Sequence, residues 1–459
     1  IIKQKRVKIF IIAAAAAAVF TLFTACPQPD ATPVTDGTVK GYQKISATKG
    51  NFGGTLENLD HFGRSVTTPG DLDGDGINEI VVGSPTDDDG GVNRGAVRVL
   101  FLQRNGTVKG RQKISNTNGD FTGTLDNIDL FGYSVTSVGD IDDDGVNDLA
   151  VGATNDDDGG ADSDRGAVWI LFLNSDGTVS GHQKISDTDG GFGGTLADDD
   201  DFGSAVASLG DLDGDGVPDL AVGAWEHNGG GVDRGAVWIL FLNNDGTVKN
   251  EQKIGDGAGG FSGTLDDDDR FGYSLTSPGD VNGNGIADLA VGSYWDGDGG
   301  DDRGAVWILF LRSDGTVASH QKISSTAGNF GGTLSDYDVF GSSIISPGDL
   351  DGNGTPDLAV GTQFDDDGGT GVGANRGAVW ILFLNNDGTV AAEQKISDTE
   401  GNFSGTLHDD DAFGRSVASP GDLDGNGIVD LVVGAEEDDD GASDAGAVWV
   451  LFLAEAAEE

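Results

Sequence analysis

The chain repeats one unit of about 70 residues six times, and this internal repeat restricts its fold more than any other feature. Each unit contains the dipeptide Phe-Gly, which begins at Phe62, Phe131, Phe202, Phe271, Phe340 and Phe413. A tandem unit of this kind buries its apolar residues by stacking on its neighbours. We predict that residues 36–453 form the array and that residues 454–459 are an acidic tail.

Every unit contains four strand-like runs. In the second unit we predict strands over 131–137, 148–153, 166–173 and 182–186, because these runs are short and rich in β-branched and aromatic residues. Asp176-Gly177 predicts a hairpin between the third and fourth strands. The third run, Ala-Val-Trp-Ile-Leu-Phe-Leu, is apolar on both faces, which is typical of a strand covered on both sides. Four-stranded units repeated radially predict an all-β fold, a β-propeller of six four-stranded blades.

The order of strands predicts how the ring closes. The array begins with a fourth-type strand at 43–46 and ends on a third-type strand at 448–453. We predict that the N-terminal strand completes the C-terminal blade, because this pairing covers an exposed sheet edge. The alternative is an open solenoid, which leaves both ends unpaired.

An Asp-rich loop follows the first predicted strand of each unit and predicts a metal site. Oxygen-bearing side chains stand at loop positions one, three, five and nine, position six is Gly, and position seven offers its main-chain carbonyl. The predicted ligand sets of loops one to six are Asp71, Asp73, Asp75, Ile77 and Glu79; Asp140, Asp142, Asp144, Val146 and Asp148; Asp211, Asp213, Asp215, Val217 and Asp219; Asp280, Asn282, Asn284, Ile286 and Asp288; Asp349, Asp351, Asn353, Thr355 and Asp357; and Asp422, Asp424, Asn426, Ile428 and Asp430. Hard oxygen ligands in this number select Ca²⁺, so we predict up to six calcium ions.

Position twelve and the carboxylate count refine this prediction. An EF-hand needs Glu at position twelve, whereas every loop here has Val, so the carboxylate at position nine must close the site. Loops one to three carry four carboxylates each, loops five and six carry three, and loop four carries only Asp280 and Asp288. Because calcium affinity follows ligand charge, loop four is expected to be the weakest site. The simpler alternative is that all six loops are Asp-Gly turns without metal.

The net charge of −52 excludes some partners and favours others. Nucleic acid is excluded because phosphate binding needs the opposite sign, and adsorption to an anionic membrane surface is disfavoured for the same reason. Self-repulsion of this size opposes a compact fold unless cations neutralise part of it. Because the chain has a single cysteine and therefore no internal disulfide, we expect bound calcium to stabilise the fold in place of disulfides.

The N-terminus has the pattern of a targeting segment. Basic residues precede an apolar run at 9–23, which is short for a membrane span and suits a signal peptide over 1–25. Thr24 and Ala25 before Cys26 resemble a bacterial lipobox, in which the cysteine is lipid-modified after cleavage, although Phe23 stands where Leu is commoner. We predict lipidation at Cys26, a linker over 26–35, and an extracytoplasmic, membrane-anchored location at the cell surface or in the periplasm. The alternative is a plain secretory signal with an incidental cysteine.

Phe-Gly, the Asp loop, Asp-Leu-Ala-Val-Gly and Gly-Ala-Val-Trp together resemble the FG-GAP repeats of the integrin α-subunit β-propeller and its bacterial relatives. The resemblance implies that the Asp, Asn and Glu positions given above are the calcium ligands. It also implies recognition of a protein ligand on the face opposite the calcium loops, hence adhesion or surface recognition. The family's best-known ring has seven blades, whereas this chain supplies six copies.

Strand alternation defines two rims of the predicted ring. The loop rim carries the calcium loops and the Asp-Gly hairpins, and the far rim carries the second-to-third connections and the segments before each Phe-Gly. Acidic runs such as Asp156-Asp157-Asp158 make the far rim a predicted site for an unknown protein or glycan ligand or further cations, or a solubilising surface. Trp225, Tyr294 and Trp295 there either stack on a ligand or cap the blade core. We expect a monomer.

Two side-chain series that follow these connections have predicted structural roles. The repeated tryptophans are expected to pack between blades, and they are Trp169, Trp238, Trp307, Trp380 and Trp449. The repeated arginines are expected to pair with the acidic connections that precede them, and they are Arg94, Arg165, Arg234, Arg303 and Arg376.

The sequence favours a protein that is not an enzyme. Its five histidines occupy scattered unit positions, and no Ser-His-Asp set, zinc cluster or phosphate loop stands out. A propeller hydrolase or lyase is expected to have one blade with atypical polar residues aimed at the central channel, and the near-identical units indicate none. The other alternative is a structural envelope component without a soluble ligand.

Overall fold

A computed structural model describes residues 34–158, 163–369 and 373–456. All regular elements in these ranges are β-strands, which form six antiparallel sheets of four strands each. These ranges contain no apolar helix long enough to cross a membrane. Cys26 and the predicted signal peptide lie outside the described residues, so these two interpretations stay predictions.

The strands follow one another in the order first, second, third and fourth within each blade, after one initial strand β1 (Val39–Ser46). Blades one to three contain β2 (Val66–Gly70), β3 (Glu79–Ser84), β4 (Ala96–Leu102), β5 (Val108–Ser115); β6 (Val135–Gly139), β7 (Asp148–Ala153), β8 (Ala167–Leu173), β9 (Val179–Ile185); and β10 (Val206–Gly210), β11 (Asp219–Ala224), β12 (Ala236–Leu242), β13 (Val248–Gly255). Blades four to six contain β14 (Phe271–Gly279), β15 (Asp288–Ser293), β16 (Ala305–Leu311), β17 (Val317–Ser324); β18 (Ser343–Gly348), β19 (Asp357–Thr362), β20 (Ala378–Leu384), β21 (Val390–Ile396); and β22 (Phe413–Gly421), β23 (Asp430–Ala435), β24 (Ala447–Leu453).

The N-terminal strand completes the last blade, as predicted. β1 pairs antiparallel with β24, with Ile45 opposite Val448, and the sheet order is β1-β24-β23-β22. The strand starts at Val39 rather than at residue 43, because it continues through a register shift at Gly41 that the sequence pattern did not indicate. The first strands of the six blades contact one another in chain order, and β22 contacts β2, which closes the ring.

The apolar core lies between neighbouring blades. The third strands are buried on both faces, as the sequence predicted. Trp169 of β8 packs edge-on against Phe121, which lies in the connection between β5 and β6, with ring centroids 5.2 Å apart. All five repeated tryptophans are buried, which confirms their packing role. Burial of one such aromatic side chain contributes roughly 1.5–3 kcal/mol.

Both ends of the described chain lie at the loop rim. The Thr35 N–H donates to the Leu350 carbonyl in loop five at 3.0 Å, and the Ala456 N–H donates to the Val34 carbonyl at 2.8 Å. The Ala454 N–H donates to the Thr38 carbonyl at 2.8 Å. These bonds hold the two ends against each other beside the ring.

The Phe-Gly dipeptide joins one blade to the next. Phe131 is fully buried and forms a parallel bridge with Gly95, which precedes the third strand of the preceding blade. Gly132 has a φ of +94°, and a Cβ there would lie 2.5 Å from the Ala96 carbonyl oxygen. β6 begins at Val135, four residues later than predicted, whereas β14 and β22 do begin at the Phe.

Gly132→Ala is expected to destabilise the ring by about 3 kcal/mol or more. The substitution adds left-handed backbone strain of about 1–2 kcal/mol and a clash with a backbone oxygen that has no room to move. Gly257→Ala is the matched control, since Gly257 also has a positive φ, +69°, but a Cβ added there would meet nothing within 4 Å. Urea unfolding of both variants measures the difference in the free energy of unfolding. Equal losses in the two variants would contradict the role of Gly132 in joining the blades.

Candidate metal centres

Each Asp-rich loop connects the first strand of a blade to the second at the loop rim. In blade two, the loop leaves β6 after Gly139 and enters β7 at Asp148. The Asp140 carboxylate lies inside the turn of the loop and accepts hydrogen bonds from the N–H groups of Asp144 (3.0 Å) and Gly145 (2.8 Å). The side chain at position one is therefore fixed before any ion binds.

The carboxylate at position nine is buried at the base of each loop. Asp148 accepts hydrogen bonds from the N–H groups of Ile141 at 2.9 Å and Leu173 at 3.0 Å, and its side chain is fully buried. Four further blades repeat both bonds at Asp219, Asp288, Asp357 and Asp430. In loop one, Glu79 makes only the bond from Leu72, and its Oε1 is buried without a hydrogen-bond partner.

Oxygens from positions one, three and nine converge in five of the loops. Within each set the carboxylate oxygens lie within 4.8 Å of one another, and the sets are Asp71, Asp73 and Glu79; Asp140, Asp142 and Asp148; Asp211, Asp213 and Asp219; Asp349, Asp351 and Asp357; and Asp422, Asp424 and Asp430. Two oxygens that share one Ca²⁺ at 2.3–2.6 Å are at most about 5.2 Å apart, so this spacing fits a single ion. Loop four has only two carboxylates and forms no such set.

Position five does not join these sets. The Asp144 carboxylate instead accepts a hydrogen bond from the Val146 N–H at 2.8 Å, and the equivalent residues of the other loops do the same. Ligation by position five, and by the carbonyl at position seven, stays a prediction.

Burial raises the pKa of every position-nine carboxyl. The pKa rises to about 7 at Glu79, Asp148, Asp357 and Asp430, and to about 6 at Asp219 and Asp288. Desolvation is the main cause in each case, because burial penalises the ionised form. A divalent cation above these groups would reverse that penalty, so the donor set and its electrostatics both fit calcium.

The repeat itself matches a known family. Six segments of the chain match the FG-GAP repeat, at residues 62–100, 131–171, 202–240, 271–309, 341–382 and 413–451, and together they cover more than half of its length. The chain belongs to the FG-GAP repeat family.

Curated relatives of this FG-GAP propeller are integrin alpha subunits. It is 33% identical over 240 residues to integrin alpha-5 of Xenopus laevis, which covers 51% of this chain and 20% of the relative. It is 30% identical over 257 residues to integrin alpha pat-2 of Caenorhabditis elegans (54% and 19%) and 34% identical over 240 residues to human integrin alpha-IIb (51% and 20%). The match therefore spans about a fifth of the length of these relatives. The described residues thus form an integrin alpha-like FG-GAP propeller.

The far rim of the FG-GAP propeller repeats a lysine between two aspartates. In blade two, Lys184 lies 2.8 Å from Asp156 and 2.6 Å from Asp158. Burial, and then the charge of Asp156, raise the pKa of the neighbouring Asp129 to about 7. Blade three departs from this pattern, because His227 and Gly229 replace the two aspartates and Lys253 contacts the His227 ring.

The repeated arginines have other partners than the sequence suggested. Arg165 pairs with Asp187 at 2.8 Å and Asp198 at 3.0 Å, both in the segment that leads to the next blade. The prediction that arginines pair with the preceding acidic connections was wrong, because Lys184 of the fourth strand already occupies Asp156 and Asp158. Arg234 and Arg376 repeat the observed pairing.

The far-rim mouth of the central channel holds polar residues that differ between blades. The residue after Phe-Gly faces the channel and is Arg64, Tyr133, Ser204, Tyr273, Ser342 or Arg415. Arg64 stacks on Tyr133 at 3.6 Å from the ring centroid, and Arg415 pairs with Glu436 at 2.5 Å. The prediction that the units aim no atypical polar residues at the channel was therefore wrong. The varying residue after an invariant Phe-Gly was the sequence signal that could have shown them.

The aromatic residues of the far rim pack among themselves. Arg270 lies between Trp225, at 4.1 Å, and Trp295, at 3.6 Å. Tyr294 is buried and stacks on Tyr273 with ring centroids 3.7 Å apart. These aromatics form a cluster that is separate from the six cores between blades, and Trp225 and Trp295 are half-buried. Stacking of the two tryptophans on a ligand stays a prediction.

Proposed function

We propose that this protein is a calcium-stabilised, extracytoplasmic, surface-anchored recognition module that binds a cationic protein or a glycan through its far rim. The calcium part rests on the converging carboxylates of the loops. The extracytoplasmic location is supported by its integrin alpha relatives, which are cell-surface proteins, and by the millimolar calcium that such loops require.

The observation that carries the recognition role is where the blades differ. The loop rim repeats the Asp-rich loop and the third-to-fourth hairpin in every blade, with substitutions at a few positions, whereas the second-to-third connections of the far rim start with a different residue in each blade. The residue after the second strand is Pro85, Thr154, Trp225, Tyr294, Gln363 or Glu436 in turn. A partner that touches several blades at once therefore meets the larger differences in side-chain type on the far rim, and variable loops on a rigid scaffold are the usual place for binding.

The far rim also offers acidic cavities, each lined by the connections and the fourth strand of one blade. One cavity of about 520 Å³ is lined by Asp266, Asp269, Asp296, Asp298 and Lys322, and another of about 490 Å³ lies at the corresponding place in blade five. Cavities of this size admit an arginine or lysine side chain or a sugar ring. Their charge favours basic groups and speeds association with a cationic partner.

Binding panels of basic extracellular proteins and of glycans, run in millimolar calcium, test this proposal. Neutralising three exposed far-rim aspartates together, Asp199→Asn, Asp268→Asn and Asp410→Asn, is expected to weaken binding of a captured ligand about ten-fold, since each surface charge contributes roughly 0.5 kcal/mol. Asn tolerates the positive φ that all three positions have, so the fold is retained.

The matched control neutralises three exposed hairpin aspartates of the loop rim, Asp176→Asn, Asp245→Asn and Asp387→Asn. Ligand binding by this control is expected to equal that of the unmodified protein. Equal losses in both triple variants would mean that net charge, not the far rim, determines binding. Capture of no ligand would favour a structural role.

A further inference from the structure

Three of the six blades place a lysine beside the calcium loop, and the other three do not. The second residue of the fourth-type strand is Lys40, Lys109 or Lys249 in blades six, one and three. The same position is Ser180, Ala318 or Ala391 in blades two, four and five. Carboxylate counts alone do not distinguish these two groups of loops.

The lysine ammonium enters the carboxylate set of its loop. Lys109 Nζ lies 2.9 Å from Asp73 Oδ2, contacts Asp75, and lies 3.8 Å from the otherwise unpartnered Oε1 of Glu79. Asp73 and Glu79 belong to the converging oxygens of loop one. The ammonium therefore occupies the side of the loop where a cation would bind.

The other two lysines repeat this contact. Lys249 Nζ lies 2.9 Å from Asp213 Oδ2 and contacts Asp215 in loop three. Lys40 Nζ lies 2.6 Å from Asp424 Oδ2 in loop six. In loops two, four and five, the short side chain at the equivalent position has no charge to offer.

An ammonium at this position has two consequences. It lowers the net negative charge of the site by one, and calcium affinity follows that charge. It must also leave its carboxylates before calcium can use them, which costs the ion pairs already made. The same ion pairs offset one of the loop's negative charges when calcium is scarce.

We propose that Lys40, Lys109 and Lys249 are built-in competitors of calcium, which divide the six loops into an open class and a lysine-guarded class. The proposal rests on the calcium binding proposed above. Loop two, with four carboxylates and no lysine, is the tightest site. Loops one and three, with the same four carboxylates, bind about ten-fold more weakly than loop two, given two or three partly exposed ion pairs to break in each.

Hydrogen–deuterium exchange of the full chain during a calcium titration tests this, because peptides report each loop separately. The midpoint of protection at 140–148 is expected at about ten-fold lower calcium than the midpoints at 71–79 and 211–219. Lys109→Ala is expected to lower the midpoint of loop one about ten-fold and to leave loop three unchanged. The converse variant, Ser180→Lys, is expected to raise the midpoint of loop two by a similar factor.

The outcomes separate this proposal from the calcium assignment. Calcium-dependent protection with equal midpoints in loops one and two, unmoved by Lys109→Ala and Ser180→Lys, would overturn the competitor role alone. Absence of calcium-dependent protection at all six loops would overturn calcium binding and the competitor role together. Lys49→Ala is the control for loss of a surface charge, since Lys49 lies at the opposite end of β1 from Lys40, and it is expected to change no midpoint.

Discussion

Removal of calcium is expected to lower the Tm of this protein by about ten degrees, and re-addition to restore it. An ion that binds only the folded state stabilises it by RT ln(1 + [L]/Kd). With a mean Kd near 10⁻⁴ M and 1 mM calcium, the loops contribute about 1.4 kcal/mol each on average, so six loops contribute about 8 kcal/mol. For a chain of this length, that free energy corresponds to about ten degrees. Thermal unfolding in calcium and in calcium-free buffer measures the difference.

Loop variants show whether the effect comes from the predicted sites. Asp351→Asn removes an exposed carboxylate from loop five and is expected to reduce the calcium-dependent gain in Tm without changing the Tm of the calcium-free protein. The control is Asp387→Asn, an exposed hairpin aspartate of the same blade, which is expected to keep the full gain. A calcium-independent Tm in the unmodified protein would refute the metal assignment.

The pH dependence of the calcium effect follows from the position-nine carboxyls. Burial raises the pKa of Asp148 and Asp357 to about 7, against about 3.9 in an unfolded chain. A carboxyl with a raised pKa contributes stability that is complete below about pH 4 and is lost as the pH rises through about 7. The calcium-free protein therefore loses stability between pH 4 and 7, while the ionised form is the one that binds calcium. The gain in Tm from calcium is expected to be larger at pH 8 than at pH 5.

Deletion of the closing strand is expected to be the most damaging small truncation. A chain that begins after Ser46 loses the buried side chains of Val39 and Ile45 and every ladder bond to β24, which together contribute about 5 kcal/mol or more. It also leaves the apolar strand β24 as an open edge, which favours aggregation. Amide exchange at 430–453 is expected to rise, while blades two to four stay protected.

A truncation that begins at Val34 is the matched control and is expected to keep the stability of the full chain. A synthetic peptide of residues 34–46 is expected to restore protection at 447–453 in the shorter chain, because β1 pairs with β24 and with no other strand of the described ring. Unchanged amide exchange in blade six after the deletion would contradict the prediction that pairing of β1 with β24 stabilises this blade.

The sequence was sufficient for the architecture because each decisive feature is local and repeated. The third strand is apolar on both faces, and that pattern alone indicates a blade covered by neighbours. The last unit lacks a fourth strand and the array begins with a spare strand of that type, so the pairing of β1 with β24 could also be predicted. The position-nine carboxylate, such as Asp148, could be predicted as a candidate ligand because position twelve is Val in every loop, but its burial was not predicted.

Contacts between units were harder to predict, because periodicity says nothing about which neighbour a side chain reaches. Arg165 bonds forward to Asp187 and Asp198, and Phe131 leaves the strand to bridge to Gly95. Within blade one, Lys109 stands 34 residues after Asp75 in the sequence and yet contacts it, since the first hairpin and the third-to-fourth hairpin end at the same rim. The channel residues Arg64 and Arg415 belong to units far apart in the sequence and share Glu436.

The bonds of Thr35 and Ala456 have a bearing on how the molecule is displayed. Since both ends of the described chain leave beside loop five, a support coupled through either end, whether a lipid, a bead or a sensor chip, holds the disc by the same pole. The opposite pole, with Arg270 and the acidic cavities, then points outward into the medium. On a short tether, orientation toward an approaching partner is thus set by where the backbone enters and leaves the disc.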